Sequence, residues 1–302
     1  MTMGTNGTAI PSTNIAAAKH RWKILARALI GDRSSDPDDR IFSVRRFQCF
    51  GLFQSKVVED RSSDADWFMY TSRDFEKLKL IVRQLRAEST VKLDTLLGFN
   101  NTGNICIWPS EEVMTYHCLK DVNWFRNKSV IELGGGMTCL AGMAVAACTE
   151  ASCVVLTDGN GDSVKNLDLM IHENQDSFGT TTVSSRFLRW GPDETAADLK
   201  DRFDCVLCAD CFFFDEGRSD LVELVCSLLR PGGQAVMFAP HRGPTLQTFV
   251  HLASNKFDVT VADNYDDKIW QLHQQMKLKG NGEYDENLHY PVSVLLKKTG
   301  SS

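Results

Sequence analysis

The sequence lacks any apolar run long enough to cross a bilayer, which takes about 18 or more consecutive apolar residues. It also lacks two pairs of cysteines at the spacing of zinc ligands, because its ten cysteines are scattered along the chain. Cys205, Cys208 and Cys211 follow at regular intervals, but this run reads as a buried strand rather than a metal site. We therefore expect no membrane span, no bound metal, and reduced thiols in a reducing compartment.

Acidic residues are absent from the start of the chain, where the first one is Asp32. Residues 1–90 hold 15 basic and 11 acidic side chains, whereas the other 212 residues hold 18 and 28. The net charge of −6 argues against a nucleic-acid partner. A basic front on an acidic body permits an acidic partner to dock there, although an unevenly charged solvated surface explains the counts equally well.

The front of the chain differs in composition from the rest. Residues 1–15 are rich in Thr, Asn, Gly and Ser, which predicts disorder. Residues 15–30 read as a basic amphipathic helix that packs on the body or docks on a partner, in preference to a transit peptide. Short apolar stretches between 41 and 85 predict small β-rich structure. We assign residues 16–95 to an N-terminal extension and 96–300 to the main domain.

One stretch organises the main domain. An apolar run at 130–133 is interrupted by Glu132 and followed directly by Gly134, Gly135 and Gly136. Thr138 then reads as the N-cap of a helix over 139–148. This pattern predicts the first strand–turn–helix unit of a Rossmann-like sheet.

The absence of a third glycine and the presence of an acidic residue indicate which ligand that turn binds. A dinucleotide motif places its third glycine where this chain has Cys139, so a nicotinamide site is disfavoured. An acid two residues before the first glycine suits S-adenosylmethionine, which carries an α-amino group and a sulfonium and has no phosphates. A nicotinamide site and a purely structural turn remain as alternatives at this stage.

Alternating helical and strand patterns follow from about residue 94. They predict an α/β fold with seven strands in an open, doubly wound sheet, helices on both faces and a ligand at the carboxyl ends of the strands. The predicted strands are 129–133, 153–156, 182–188, 203–209, 234–239, 258–262 and 290–297. Residues 230–233, Arg-Pro-Gly-Gly, read as a helix stop and turn.

The strand ends carry the candidate functional residues. Asp158 lies 24 residues after Gly134, near the spacing at which a carboxylate accepts from both ribose hydroxyls; the alternative is an Asp-Gly-Asn turn. Trp190 offers a flat ring beside adenine, or is a core tryptophan. Asp210 with Phe213 stands where a methyl acceptor would enter, or forms a helix cap with core aromatics.

These motifs together resemble the seven-strand protein-lysine methyltransferases, and within them the enzymes that methylate calmodulin. The resemblance is close over about residues 98–298 and weaker in the front. It rests on the runs 100–110, 132–142, 156–160, 188–190, 208–211 and 286–291. The first of these contains Trp108-Pro109-Ser110, and the last contains Leu288-His289-Tyr290-Pro291.

The resemblance implies a function and a set of site residues. The chain would transfer methyl groups from S-adenosylmethionine to a lysine of calmodulin, giving trimethyl-lysine, and the extension at 16–95 would help select the substrate. Asp210 and Phe213 would be catalytic, with Asp210 orienting the amine. The residues that would hold the donor are Trp108, Glu132, Gly134, Gly135, Gly136, Asp158, Gly159, Asn160, Trp190 and Ala209.

A growing methylammonium must also turn within one slot, and aromatic faces suit it because cation–π contact survives the loss of N–H donors. Phe212, Phe213, Tyr265 and Trp270 are the candidates. We further expect a monomer in the cytoplasm and nucleus. Methylation of a different protein lysine, a nicotinamide-dependent oxidoreductase and a non-catalytic binding module stay open as alternatives.

The first prediction concerns Asp158. Replacing it with alanine removes the carboxylate that would accept from the ribose hydroxyls, so Asp158→Ala should lose S-adenosylmethionine binding. Equilibrium binding by calorimetry measures this directly. Unchanged donor affinity in the variant would overturn the ribose assignment.

Overall fold

The computed structural model describes residues 49–59, 65–85, 106–191, 194–279 and 284–299. The predicted disordered segment 1–15 and the predicted helix 15–30 lie outside these ranges, as do residues 100–105 of the first resemblance run. Within the described ranges no helix is long and apolar enough to cross a membrane.

The described part of the extension is a small antiparallel sheet. Its strands are β1 (Gln54–Glu59), β2 (Ala65–Thr71) and β3 (Lys79–Leu85), paired in the order β1-β2-β3. Leu80 and Val82 of β3 are fully buried. The β-rich structure predicted for 41–85 is therefore confirmed where the structure describes it, while the domain boundaries stay a prediction.

The main domain is built on one mixed sheet of seven strands. They are β4 (Ser129–Glu132), β5 (Cys153–Asp158), β6 (Thr182–Phe187), β7 (Phe203–Ala209), β8 (Leu229–Ala239), β9 (Phe257–Ala262) and β10 (Val292–Lys298). Their spatial order is β6-β5-β4-β7-β8-β10-β9. All neighbours are parallel except β10, which runs antiparallel to both β8 and β9.

Helices flank this sheet. They are α1 (Pro109–Lys120), α2 (Leu140–Cys148), α3 (Gly161–Asn174), α4 (Arg218–Leu228), α5 (Thr245–Ala253), α6 (Asp267–Lys279) and the single turn α7 (Glu286–His289). Helix α1 packs on α2, and α4 packs on α5. The central strands are apolar along their length because helices cover them, as in other parallel sheets. The predicted Rossmann-like α/β class is confirmed.

Two local predictions were wrong. Thr138 is not a helix cap, because α2 begins after Cys139, whose φ of 40° is left-handed. The Thr138 hydroxyl instead donates to the buried Glu111 carboxylate. Residues 230–233 belong to β8 rather than to a separate turn, and the register of β8 against β7 is irregular there.

The buried strand predicted around Cys205 and Cys208 is confirmed as β7.

Side chains of the main domain hold the front of the chain. The Glu112 carboxylate at the start of α1 accepts from the backbone N–H groups of Phe50, at 2.6 Å, and Leu52, at 2.8 Å. On α3 the Asn174 amide accepts from the Ile81 N–H and donates to the Ile81 carbonyl, both at 2.8 Å. The front segment and the small sheet are therefore attached through hydrogen bonds to α1 and α3.

The Glu112 contact leads to a stability prediction. Glu112→Ala leaves two buried N–H groups without their acceptor, which costs about 2 kcal/mol of unfolding free energy. We expect the melting temperature to fall by about 3 °C. The matched control is Glu223→Ala, which removes a solvent-exposed ion pair with Lys256 and should leave the melting temperature nearly unchanged. Equal shifts in both variants would contradict the attachment role.

Candidate functional site

A cleft of about 760 Å³, partly open to solvent, lies at the carboxyl ends of β4, β5 and β7. This is the edge where ligands bind in open parallel sheets. Eleven of the twelve predicted site residues border it, and Asn160 is the exception. The eleven are Trp108, Glu132, Gly134, Gly135, Gly136, Asp158, Gly159, Trp190, Ala209, Asp210 and Phe213.

The glycines let the backbone pass close to its neighbours. Gly134 has a φ of 61°, and a Cβ added to it would lie 2.8 Å from Cζ2 of Trp190. A Cβ on Gly135 would lie 2.3 Å from Sγ of Cys139. Side chains at either position would displace these neighbours, so the loop needs glycine for its conformation and for its packing. The loop forms one wall of the cleft, with the Trp190 ring against it.

The Asp158 carboxylate is tied to the same loop. Its Oδ2 accepts from the Gly136 N–H at 2.9 Å, and its Oδ1 accepts from the Asn160 N–H at 2.8 Å. Burial raises the pKa of Asp158 above its ordinary value. The Ser163 hydroxyl also donates to this carboxylate. A carboxylate has about four lone-pair sites, so the group can still accept from a ribose hydroxyl. That role stays a prediction.

Asn160 has a structural task that the sequence did not indicate. Its side-chain oxygen accepts from the backbone N–H groups of Asp162, at 2.8 Å, and Ser163, at 3.4 Å, which caps α3. The side chain does not border the cleft. Its predicted contact with the donor therefore has no support from the cleft geometry, and the capping interaction explains why an asparagine stands here.

Two buried carboxyl groups lie at the glycine-loop end of the cleft. Glu132 Oε2 accepts from the Gly142 N–H at 2.6 Å, whereas Oε1 has no hydrogen-bond partner among the described residues. Burial, with a smaller contribution from the Glu111 charge, raises the pKa of Glu132 to about 8. Glu111 accepts from the Thr138 hydroxyl and the Leu140 N–H, and burial raises its pKa to about 7.

Sequence reasoning missed Glu111, although its position gave a signal. It stands one turn after Trp108-Pro109, in the first turn of α1, where acidic side chains are stabilised by the helix dipole. A buried carboxylate oxygen without a hydrogen-bond partner among the described residues, such as Oε1 of Glu132 at the cleft wall, is stabilised by a cation. The α-amino group and sulfonium of S-adenosylmethionine are cations, so the residues at this end fit that donor. That Glu132 faces its amino-acid part stays a prediction.

The opposite end of the cleft carries a neutralised acid. Asp210 follows β7, and both of its carboxylate oxygens accept from the Arg242 guanidinium, at 2.6 Å and 2.8 Å. The guanidinium carbon lies 5.6 Å from the Trp108 ring centre and 5.4 Å from that of Phe213. Burial raises the pKa of Asp210, and the Arg242 charge opposes that rise. Sequence reasoning missed Arg242, which lies 32 residues from its partner and in no motif.

The predicted aromatic slot is smaller than the sequence suggested. Phe213 borders the cleft, but the Phe212 ring stacks on Phe249 with 3.8 Å between ring centres and belongs to the core. The Tyr265 hydroxyl donates to the Pro291 carbonyl at 2.7 Å. Trp270 borders a separate cavity beside α6. Phe212, Tyr265 and Trp270 do not border the donor cleft, so the proposals for them have no support from its geometry; chain order does not tell which face of a strand or helix a ring takes.

The fold and the cleft define a methyltransferase, and comparison with known proteins gives the family. A family model described as lysine methyltransferase matches residues 69–256, more than half of the chain. The chain therefore belongs to the lysine methyltransferase family. S-adenosylmethionine is accordingly its cofactor, as the sequence predicted, and the nicotinamide-dependent alternative is set aside.

A curated relative and two solved structures are similar to the chain. Calmodulin-lysine N-methyltransferase of Arabidopsis thaliana is 34% identical over 300 residues, which covers 93% of this chain and 97% of the relative. A 16S rRNA methyltransferase of T. thermophilus shares 14% identity with a TM-score of 0.48, over 82% of this chain and 51% of that one. Phosphoethanolamine N-methyltransferase 2 of Haemonchus contortus shares 12% with a TM-score of 0.45, over 74% and 64%. Similarity as low as that of the two structures decides nothing about the substrate.

The buried Glu132 carboxyl makes donor binding depend on pH. With a pKa of about 8 it is protonated in the free protein at neutral pH, and a bound ammonium favours the carboxylate, so binding releases a proton. Affinity for S-adenosylmethionine should therefore rise between pH 6 and 7.5, by up to about tenfold per pH unit. Calorimetry in buffers of different ionisation enthalpy measures the released proton.

Two variants check the source of that proton. Glu132→Gln has no carboxyl proton to release, so most of the dependence of S-adenosylmethionine affinity on pH should disappear. Glu112→Gln is the matched control, because burial also raises the pKa of Glu112 to about 7 but its carboxylate holds the front segment. A full slope in Glu132→Gln would contradict the assignment.

Proposed function

We propose that this protein transfers methyl groups from S-adenosylmethionine to a lysine of calmodulin, giving trimethyl-lysine. The observation that carries the proposal is the end-to-end similarity to the Arabidopsis enzyme, which includes the front extension as well as the catalytic domain. The cleft supports it. Its lining combines buried carboxyl groups that suit a cationic donor with aromatic rings and an acid already neutralised by Arg242 that suit a neutral acceptor.

The chemistry needs an uncharged amine. Free lysine has a pKa of about 10.4, so the side chain must lose a proton before its nitrogen can attack. The bound donor supplies an activated methyl group, and the nitrogen–carbon bond forms as the carbon–sulfur bond breaks, with the sulfur keeping the electron pair. The Phe213 and Trp108 rings exclude water from the acceptor end, which favours the neutral amine.

Positioning is the main contribution of this chain to the rate. Asp210 stands at the acceptor end with spare lone pairs that can accept from the amine N–H and direct its own lone pair at the methyl group. The amine proton leaves to water, so no strong base is needed. Holding the two reactants in line lowers the activation barrier, because the entropy of orienting them is lost on binding and not in the reaction step.

The remaining assignments belong to the same proposal. Residues 16–95 would help select calmodulin, in keeping with the basic character of the front and the attachment of its small sheet to the catalytic domain. The protein would act as a monomer in the cytoplasm and nucleus. In support of a reducing compartment, all ten cysteines are free thiols.

Mass spectrometry of calmodulin after reaction tests substrate, site and methyl count together. The expected result is one lysine carrying three methyl groups when calmodulin is incubated with the protein and S-adenosylmethionine. Calmodulin with acetylated lysines is the control and should remain unchanged. Donor binding without any transfer would favour a non-catalytic binding module, and transfer to another protein alone would identify a different lysine substrate.

The same assay examines the front of the chain. A variant without residues 1–40 should bind S-adenosylmethionine with unchanged affinity and methylate calmodulin more slowly. Equal rates for the truncated and the full-length protein would remove these 40 residues from substrate selection.

A further inference from the structure

Arg242 and Asp210 form a rigid pair. Both residues have left-handed backbone conformations, with φ values of 42° and 57°, which residues other than glycine adopt at a cost. Two parallel hydrogen bonds join the guanidinium to the carboxylate. The backbone N–H of Arg242 also donates to the Asn287 carbonyl at 2.8 Å. The Asp210 side chain is 8% exposed and that of Arg242 is 18% exposed. The pair is therefore fixed and largely removed from water.

The pair also shares its surroundings with the cleft. The guanidinium lies within cation–π distance of the Trp108 and Phe213 rings. Both rings, and Asp210 itself, border the donor cleft. At the end of the cleft where the acceptor enters, the chain therefore provides its own cation, Arg242, and this cation is bound to the nearest acid, Asp210.

This arrangement matters because of the charge state of the acceptor. A buried carboxylate without a partner binds an ammonium strongly, since the interaction is little screened there. A lysine held as an ammonium has no free lone pair and cannot attack a methyl group. A carboxylate already neutralised by a guanidinium attracts the ammonium much less but can still accept a hydrogen bond from a neutral amine.

From this geometry we infer that Arg242 is a positioning and specificity-determining residue for methyl transfer. It holds the Asp210 carboxylate in place and cancels its charge, so that the acceptor lysine occupies the cleft as a neutral amine. Arg242 is not a catalytic residue in this role, because it acts through Asp210. The inference rests on the proposed function, since it requires a lysine acceptor.

Few other titratable groups surround the pair. The Cys211 thiol donates to the Ala209 carbonyl at 3.2 Å. Its hydrogen bond to the Cys208 sulfur, together with burial, raises the pKa of Cys211 well above the ordinary value. Burial lowers the pKa of His289 to about 4, with the Arg242 charge contributing. His241 precedes Arg242 and lies 3.7 Å from the Asp263 carboxylate. Cys211 and His289 therefore stay neutral between pH 6 and 9. Glu111 and Glu132, which border the same cleft, are unchanged in every variant below, and a control variant replaces the neighbouring His241 imidazole.

The test is the pH dependence of the single-turnover rate in the preformed complex with S-adenosylmethionine and saturating calmodulin, because this rate reports groups within the complex. In Arg242→Gln the unpaired carboxylate shares a proton with the amine. The pH of half-maximal rate should then rise by about one unit, equal to a roughly tenfold slower reaction below that pH.

Three further variants separate this role from structural support. Asp210→Asn/Arg242→Gln removes both charges and should return the midpoint to the wild-type value. Arg242→Lys keeps the charge without the planar fork, so its midpoint should stay near wild type while its rate falls at every pH. His241→Gln is the control for the neighbouring imidazole and should leave the midpoint unchanged.

Donor affinity and melting temperature are measured for every variant. If Arg242→Gln alone does not fold, the double variant is compared with the single variant Asp210→Asn, which keeps the guanidinium charge without its carboxylate and should have a lower midpoint. A midpoint of the double variant at or below that of Asp210→Asn would then overturn the inference. An unchanged midpoint in Arg242→Gln, or a loss of donor binding that accounts for its slower rate, also overturns it. Failure of the wild-type protein to methylate calmodulin at any pH would instead overturn the proposed function.

Discussion

Two adjacent carboxylates at the start of α1 tie the structure together. Glu111 accepts from Thr138 and Leu140 and so holds the segment that follows the glycine loop, while Glu112 accepts from Phe50 and Leu52 and holds the front of the chain. Both lie in the first turn of a helix, where the dipole stabilises negative charge. The donor cleft and the front segment are therefore positioned by consecutive residues of one rigid element.

The acids around the cleft are arranged so that its two ends differ in charge. At the donor end, Glu132 has an oxygen without a hydrogen-bond partner in the described part of the chain, so a cationic ligand stabilises that end. At the acceptor end, Asp210 already has its cation in Arg242. The reaction brings a positively charged donor to an amine that must be neutral. A buried carboxyl group that ionises for the cationic donor and a carboxylate already paired with a guanidinium suit these two reactants in turn.

Much of the fold could be predicted because it depends on local pattern. The presence of seven strands, the last of them near the end of the chain, and the glycine turn after β4 follow from apolar periodicity and from glycine spacing, and each is present. The direction of the last strand was not predicted. Errors occurred where a distant partner overrides a local preference. Thr138 has the chemistry of an N-cap, but the buried Glu111 carboxylate, 27 residues earlier, takes its hydroxyl. Asn160 was predicted to contact the donor, and that contact stays a prediction; what the sequence analysis did not indicate is the local cap that its side chain forms on the following helix.

The sequence alone determined the class of sheet, the edge where the ligand binds and most of the residues that border the cleft, because parallel strands bring their carboxyl ends to one side whatever the details of packing. Only the tertiary structure decided which of those side chains have partners. It paired Asp210 with Arg242, left one oxygen of Glu132 without a described partner, and buried Phe212 against Phe249. Charge cancellation and burial depend on contacts between residues far apart in the chain, and no local pattern records them.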